Sequence, residues 1–343
     1  MTRLPLPRIL SMNILLQGVM LGMLVMHPVH SSAQLGGRAG AYSRMGFGAR
    51  GMGMGNALTA VTTGDAVGYY NPATLPFAQY RNISASFGIL AMDRRLNFLN
   101  FMQPLGPTPS QNENAGTSAA KPRAGIAIGI INGGVTKIDG RDRDGEPTGL
   151  LQTSENQAML SFGTSLKNSL AIGITIKYLY HHLYTDVNSS TFGFDLGVLY
   201  PISERLTLGA TARDFSSKYS WDTKAIYTEA AATSTDRFPR LYTVGAAYQL
   251  PDTIGTVAVD VEFSDQSTVV VKMGAEVIVI PELVLRAGID RIDVKTRGNG
   301  VRPTFGFSAR RDFDTWTPAL NYAFVIEPFA SSAMHMISIS VIF

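Results

Sequence analysis

The sequence predicts an all-β protein: a transmembrane antiparallel β-barrel of about 14 strands with a glycine-rich N-terminal plug inside it. Three observations lead there. Apolar residues recur with a period of two, not 3.6, in stretch after stretch from Asn82 onward. From the fourth stretch on, the links alternate between tight turns and longer polar loops, as in outer-membrane barrels, with a short Ser264 to Ser267 and a long Gly106 to Pro122 as exceptions. The polar faces of the stretches carry Gly, Ala and Thr and few charges, unlike a solvated surface. Only 16% of the 343 residues are charged, against about a quarter in ordinary soluble domains.

The chain opens with a secretory signal. Arg3 and Arg8 form a positive start, Ile9 to Val25 is mostly apolar, and Ser31-Ser32-Ala33 supplies small residues for cleavage before Gln34. Met12 is an alternative start, and retention as a membrane anchor is the alternative fate. Loss of residues 1–33 removes two arginines and no acid, so the mature chain is close to neutral and has no basic stripe for nucleic acid. The absence of cysteine excludes disulfides, thiolate catalysis and Cys-ligated zinc. No mature segment is long and apolar enough for a spanning helix; Val269 to Ile280 is interrupted by Lys272 and Glu276.

Residues 34–80 form the expected plug. Its core reads "GFGARGMGMGNALTA". Gly46, Gly48 and Gly51 satisfy a dinucleotide-binding spacing, but no strand–helix–strand series surrounds them. The nearest downstream acid, Asp65, also comes too early for a ribose contact about 20 residues on. The better account is steric: Gly allows close backbone approach inside a narrow lumen. Asn71-Pro72-Ala73 matches half of a water-channel signature but lacks the second copy and the helices. It reads as a turn capped by Asn71, with φ fixed by Pro72.

Residues 81–343 form the barrel. The strands start near Asn82, Arg95, Arg123, Glu155, Ser169, Thr191, Arg205, Phe238, Ile254, Thr268, Glu282, Val301, Asp314 and Met334. In "LAIGITIKYLY", Leu170, Ile172, Ile174, Ile176, Tyr178 and Tyr180 share one face, and Ala171, Gly173, Thr175, Lys177 and Leu179 the other. A soluble sandwich alternates too, but with grease inward. Aromatics near strand ends, including Tyr200, Tyr248, Trp316 and Tyr322, suit interfacial girdles and favour the barrel. The tight links are Lys167-Asn168, Pro201 to Glu204, Pro251 to Thr253, Pro281 and Arg311 to Phe313. The longer loops are His182 to Ser190, Phe215 to Arg237, Arg291 to Gly300 and Pro328 to Ala333. The terminal "ISISVIF" puts Ile337, Ile339, Val341 and Phe343 on one face, like the signal that barrel-assembly machinery reads.

Tyr42 to Pro76 resembles the N-terminal signature of PorV/PorQ-type outer-membrane proteins, a branch of the FadL-like superfamily. The matching features are Gly48-Ala49-Arg50, Gly51-Met52-Gly53-Met54-Gly55, Ala57, Ala60-Val61, Asp65-Ala66 and Tyr70-Asn71-Pro72-Ala73. Thr191 to Phe215 and Leu283 to Arg291 look similar as well. The resemblance implies a 14-stranded barrel with an N-terminal hatch and a non-enzymatic role in type IX secretion. The implied partners are outer-membrane lipid and a translocon, a cargo C-terminal domain or a surface protein, and no cofactor. The alternative is a FadL-like transporter of hydrophobic small molecules. An apolar pocket with a lateral opening would favour transport; a sealed, salt-bridged lumen would favour protein handling.

The candidate plug motif is Gly48, Arg50, Gly51, Gly53, Gly55, Asp65, Asn71 and Pro72. Asp260, Glu262, Lys272, Glu276, Arg286 and Asp290 form an inward charge network of both signs on three consecutive strands, so neighbours can pair across the sheet. Arg50 is the expected plug-side partner of one of these acids. Tyr219, Trp221, Ile226 and Tyr227 form a candidate partner-contact loop, or else fold that loop onto the barrel rim. No catalytic or metal site is expected. Asp139 to Glu146 fails the ligand positions of a calcium loop. His181 and His182 point to opposite faces of a strand and so cannot easily share an ion.

Overall fold

The computed structural model describes residues 35–64, 68–106, 124–166, 170–224, 232–294 and 300–343. The expected signal segment, Asp65, Ile226 and Tyr227 lie outside them. Sixteen strands follow the plug. They are β1 (Asn82–Ile89), β2 (Arg94–Leu105), β3 (Ala124–Arg141), β4 (Pro147–Ser165), β5 (Ala171–Tyr184), β6 (Val187–Pro201), β7 (Leu206–Phe215) and β8 (Lys218–Asp222). Then come β9 (Thr233–Arg237), β10 (Leu241–Gln249), β11 (Gly255–Ser264), β12 (Val269–Ile280), β13 (Leu283–Asp293), β14 (Pro303–Arg310), β15 (Thr317–Val325) and β16 (Met334–Ile342).

Fourteen of these strands close a barrel, each antiparallel to its neighbours. β7 pairs directly with β10, because β8 and β9 form a separate two-stranded sheet. The seam joins β1 to β16, with Asn82 opposite Ile342 and Ile89 opposite His335. Arg81 and Phe343 extend it by exchanging backbone hydrogen bonds of 3.1 Å.

The alternation sorts outward grease from inward polarity. Val244 is 55% exposed, Ile339 56% and Leu196 49%, all on the outer face. Their neighbours Thr243, Ser338, Ser340 and Asp195 are buried inside. A soluble protein rarely exposes so continuous an apolar surface, whereas hydrocarbon accepts it at no cost and a closed ladder leaves no backbone group unpaired. Phe313 stacks on Trp316 at 5.1 Å in the β14–β15 link, and Tyr178 of β5 lies tilted beside Phe192 of β6 at 5.3 Å. The end that carries the tight β4–β5, β6–β7, β10–β11 and β12–β13 links is the periplasmic end by the loop asymmetry of such barrels.

Two segments read as loops are largely strand. β5 and β6 remain paired up to Tyr184 opposite Val187, so the expected loop from His182 to Ser190 narrows to a turn at Thr185-Asp186. Asp186 takes the left-handed conformation there, with φ of 59°. β4 begins at Pro147, well before the expected Glu155, and pairs with β3 as far as Arg141 opposite Pro147. Beyond the bilayer both faces of a strand are wet, so the alternation vanishes from the sequence while the hydrogen-bond ladder continues. β2 leaves β3 at Val135 and β5 leaves β4 at Ser154, so the upper β3–β4 ribbon stands without neighbours on either edge.

Candidate functional site

The lumen is filled by the segment that precedes β1. It starts near the outer end with a 3-10 turn, Ala41–Arg44. A short helix, α1 (Gly48–Gly53), packs mainly against β14 and β15. A second 3-10 turn, Pro72–Phe77, lies at the periplasmic end against β3 to β6. Asn71 caps this turn by accepting from the Ala73 N–H at 2.9 Å. Its amide nitrogen donates to the carbonyls of Thr59 (2.8 Å) and Val198 (3.2 Å), which ties the turn to the plug and to the wall.

The motif glycines are there for contact. A Cβ on Gly51 would stand 1.9 Å from the Tyr70 hydroxyl. That hydroxyl accepts from the Phe47 N–H (2.9 Å) and donates to Asn56 Oδ1 (2.7 Å), so it cannot move aside cheaply. Gly55 has φ of +60°, and a Cβ there would lie 2.4 Å from the Met273 carbonyl. The wall answers in kind. Inward Gly274 and Gly288 meet Met54 and Gly55, and Gly163 and Gly173 meet Pro72. These wall glycines escaped the sequence reading of the site, although glycine at inward positions of successive strands was the signal for them.

Charge supplies the specific ties. Arg50 Nη2 lies 2.6 Å from Glu276 Oε1, and Arg286, directly across the sheet from Glu276, lies 3.0 Å from its other oxygen. Asp290 accepts from Asn56 Nδ2 at 2.8 Å and pairs with Arg302 at 2.9 Å. Asp260 accepts the Thr59 N–H at 3.1 Å. Three wall carboxylates on consecutive strands therefore each hold a different part of the plug. The other two members of the inward network sit apart from these ties: Glu262 binds Lys272 (2.9 Å) and Arg213 (3.0 Å). Lys272 stands directly opposite Asp260 but bonds diagonally to Glu262. A further buried cluster joins Lys177 to Asp195 (2.6 Å) and Asp214 (2.5 Å). Only Lys177 and Asp195 were visible as inward positions; Asp214 follows a β6–β7 bulge that no pattern announced.

The outer mouth is covered by the β8–β9 hairpin. Tyr219 and Trp221 do not form an outer contact surface: they are 1% and 7% exposed. They pack with Leu179, Val187 and Phe238, and Ala39 of the plug joins this cluster. The His181 ring meets Tyr219 and Trp221 edge-on, at 5.2 and 5.0 Å. Trp221 Nε1 donates to Asp236 at 2.8 Å, and the Ser220 N–H donates to Ser189 on β6 at 2.9 Å. The apolar side chains read as a partner surface thus fasten the hairpin to the mouth. His181 and His182 diverge, toward Thr153 and Asn188 respectively.

Cavities remain around the plug. One of about 190 Å³ lies toward the periplasmic end, beside Arg50, Glu276 and Arg310. One of about 50 Å³ sits between α1 and the hydroxyl row Ser84, Ser86, Ser338 and Ser340. One of about 310 Å³ opens at the outer mouth. All three mix apolar and polar walls, and Phe47, Leu58, Val61 and Tyr70 give the one beside α1 a largely apolar lining.

No protein-family model matches the sequence, and no curated protein sequence matches it. Solved structures do. The CymD monoaromatic hydrocarbon channel aligns with a TM-score of 0.61 at 14% identity, over 87% of this chain and 97% of CymD. A Pseudomonas aeruginosa FadL homologue aligns with a TM-score of 0.53 at 11% identity, over 87% and 98%. The fold is FadL-like. The Pseudomonas putida toluene transporter TodX fits the same FadL-like frame, with a TM-score of 0.56 at 15% identity over 87% and 96%. Two of these structures are named as a channel and a transporter.

Proposed function

We propose that this chain is a FadL-like outer-membrane channel that passes small, mainly apolar molecules, with the plug as its gate. The observation that carries the reading is the end-to-end match with the CymD and TodX channels, over nearly their whole lengths. It ranks transport ahead of the protein handling that the PorV/PorQ resemblance implies. The plug is tied to the wall by polar contacts on β6, β11 to β14 and β16, which can be released without opening the barrel ladder. Export begins with cleavage after Ala33, and amino-terminal sequencing of the membrane form checks that step. For transport, the chain is expressed in a Gram-negative host with an intact outer membrane and uptake of labelled toluene is followed. A several-fold faster uptake is expected; a rate equal to that of the empty host overturns the reading.

A second reading, handling of secreted proteins in type IX secretion, draws support from one feature. The β3–β4 ribbon rises beyond its neighbours with both edges unpaired, and such edges are ready to pair with another chain. Its partners would be a translocon, a cargo C-terminal domain or a surface protein. Affinity purification from native membranes, with and without residues 137–150, tests it. Loss of a co-purifying secretion partner on deletion supports the reading; an unchanged set of partners removes it.

A further inference from the structure

The cavity of about 310 Å³ at the outer mouth is lined by five arginines, Arg44, Arg94, Arg95, Arg291 and Arg302, but by only two carboxylates, Glu155 and Glu327. The residues come from the plug, from β2 and β4, and from the outer ends of β13 to β15. The two best-neutralised arginines share one acid: Glu327 lies 2.5 Å from Arg302 and 3.6 Å from Arg94. Arg302 also reaches Asp290 at 2.9 Å. Arg44 donates only to backbone carbonyls, those of Ala39 (2.7 Å), Leu35 (3.0 Å) and Arg38 (3.3 Å). Burial pulls its guanidinium below the ordinary arginine value. The Nε atoms of Arg95 and Arg302 are buried with no acceptor, and Arg291 acts on a carboxylate only through space, on Glu262.

A guanidinium withdrawn from water without a counter-charge is costly, and among the described residues Arg44, Arg95 and Arg291 make no contact ion pair; Arg44 and Arg291 feel carboxylates only at longer range. Their planar donor forks match the oxygens of phosphate, sulfate and carboxylate. Concentrating one sign of charge in a recess with low-dielectric walls also draws the opposite charge from solution. We propose that the outer mouth holds an oxyanion-binding site, centred on Arg44, Arg95 and Arg291, that takes phosphate, sulfate or a carboxylate, free or as the head of a larger molecule. A bound oxyanion would bridge the plug, through Arg44, to the wall, through Arg291, and so tighten the outer end of the plug. The inference does not rest on hydrocarbon passage, and the site stands or falls by binding alone.

Isothermal titration of the full barrel in neutral detergent, at constant ionic strength, tests the site with inorganic phosphate and sulfate. Saturable binding with one site per chain is expected. Arg291→Gln and Arg95→Gln should each weaken it at least tenfold, while Arg143→Gln at the exposed ribbon tip leaves it unchanged. Neither cavity arginine makes a contact ion pair among the described residues, so both variants should retain the heat-resistant folded band of the parent. A second arm adds short-chain phosphatidic acid in mixed micelles. Competition with phosphate assigns the site to a lipid headgroup, and lack of competition assigns it to free oxyanions. No saturable heat with either ion, or parental affinity in both glutamine variants, overturns the proposal.

Discussion

At the scale of single residues, the plug is held by contacts of two kinds. Glycines let backbones touch, and side chains such as Arg50 and Asn71 fix where they touch. Arg50→Ala removes an ion pair but leaves Glu276 its second partner, Arg286. The cost should therefore lie near that of a charged hydrogen bond, about 2 kcal/mol, rather than the ~3–5 kcal/mol of a carboxylate stranded without any cation. The chain has no cysteine, so a Met52→Cys probe on α1 reports plug opening cleanly. Two kcal/mol corresponds to roughly 30-fold faster thiol labelling. An unchanged rate would mean that the remaining ties hold the plug by themselves. Gly55→Ala acts differently. It meets both a positive φ and the Met273 carbonyl, so the variant should assemble with the plug displaced. Protease sensitivity of the first segment, at Arg44 and Arg50, measures this.

At the scale of elements, the β8–β9 hairpin is the part of the molecule whose position rests on side chains alone. It shares no ladder with the barrel, only the aromatic cluster and the Ser220–Ser189 hydrogen bond. Truncating Tyr219 and Trp221 together to Ala removes two large buried side chains, each worth about 3–5 kcal/mol when buried in a core. The hairpin should then swing out, and trypsin should cut at Lys218 and Lys224 while the barrel band persists. Equal resistance of parent and variant would show that the hairpin is held otherwise. The membrane strands were legible in the sequence because one face of each must be apolar. Their extensions above the bilayer were not, since Pro147 to Ser154 and His182 to Ser190 are free of that demand. The plug was legible from its glycines and Arg50 from its charge, but the choice of Glu276 as its partner depends on how far the plug descends, which no local pattern encodes. For Tyr219 and Trp221 the sequence left two readings open, partner contact or folding onto the rim; the choice depends on what lies beneath, here Leu179 and the plug.

At the scale of the whole molecule, stability depends on the solvent outside being hydrocarbon. Val244 lies midway along β10 on the outer face. Val244→Arg should cost about 2–4 kcal/mol in bilayers, read as a lowered urea midpoint for folding into vesicles. Thr243→Val, one residue along and facing in, should have a far smaller effect on that midpoint, and equal effects of the two would contradict the sidedness. The seam has a further consequence for how the molecule comes together. The cylinder is completed only when its last strand meets its first, and Arg81, which takes part in that closing handshake with Phe343, directly follows the plug. The stopper thus hangs from the very strand at which the cylinder shuts, like a cork wired to the lip of its bottle.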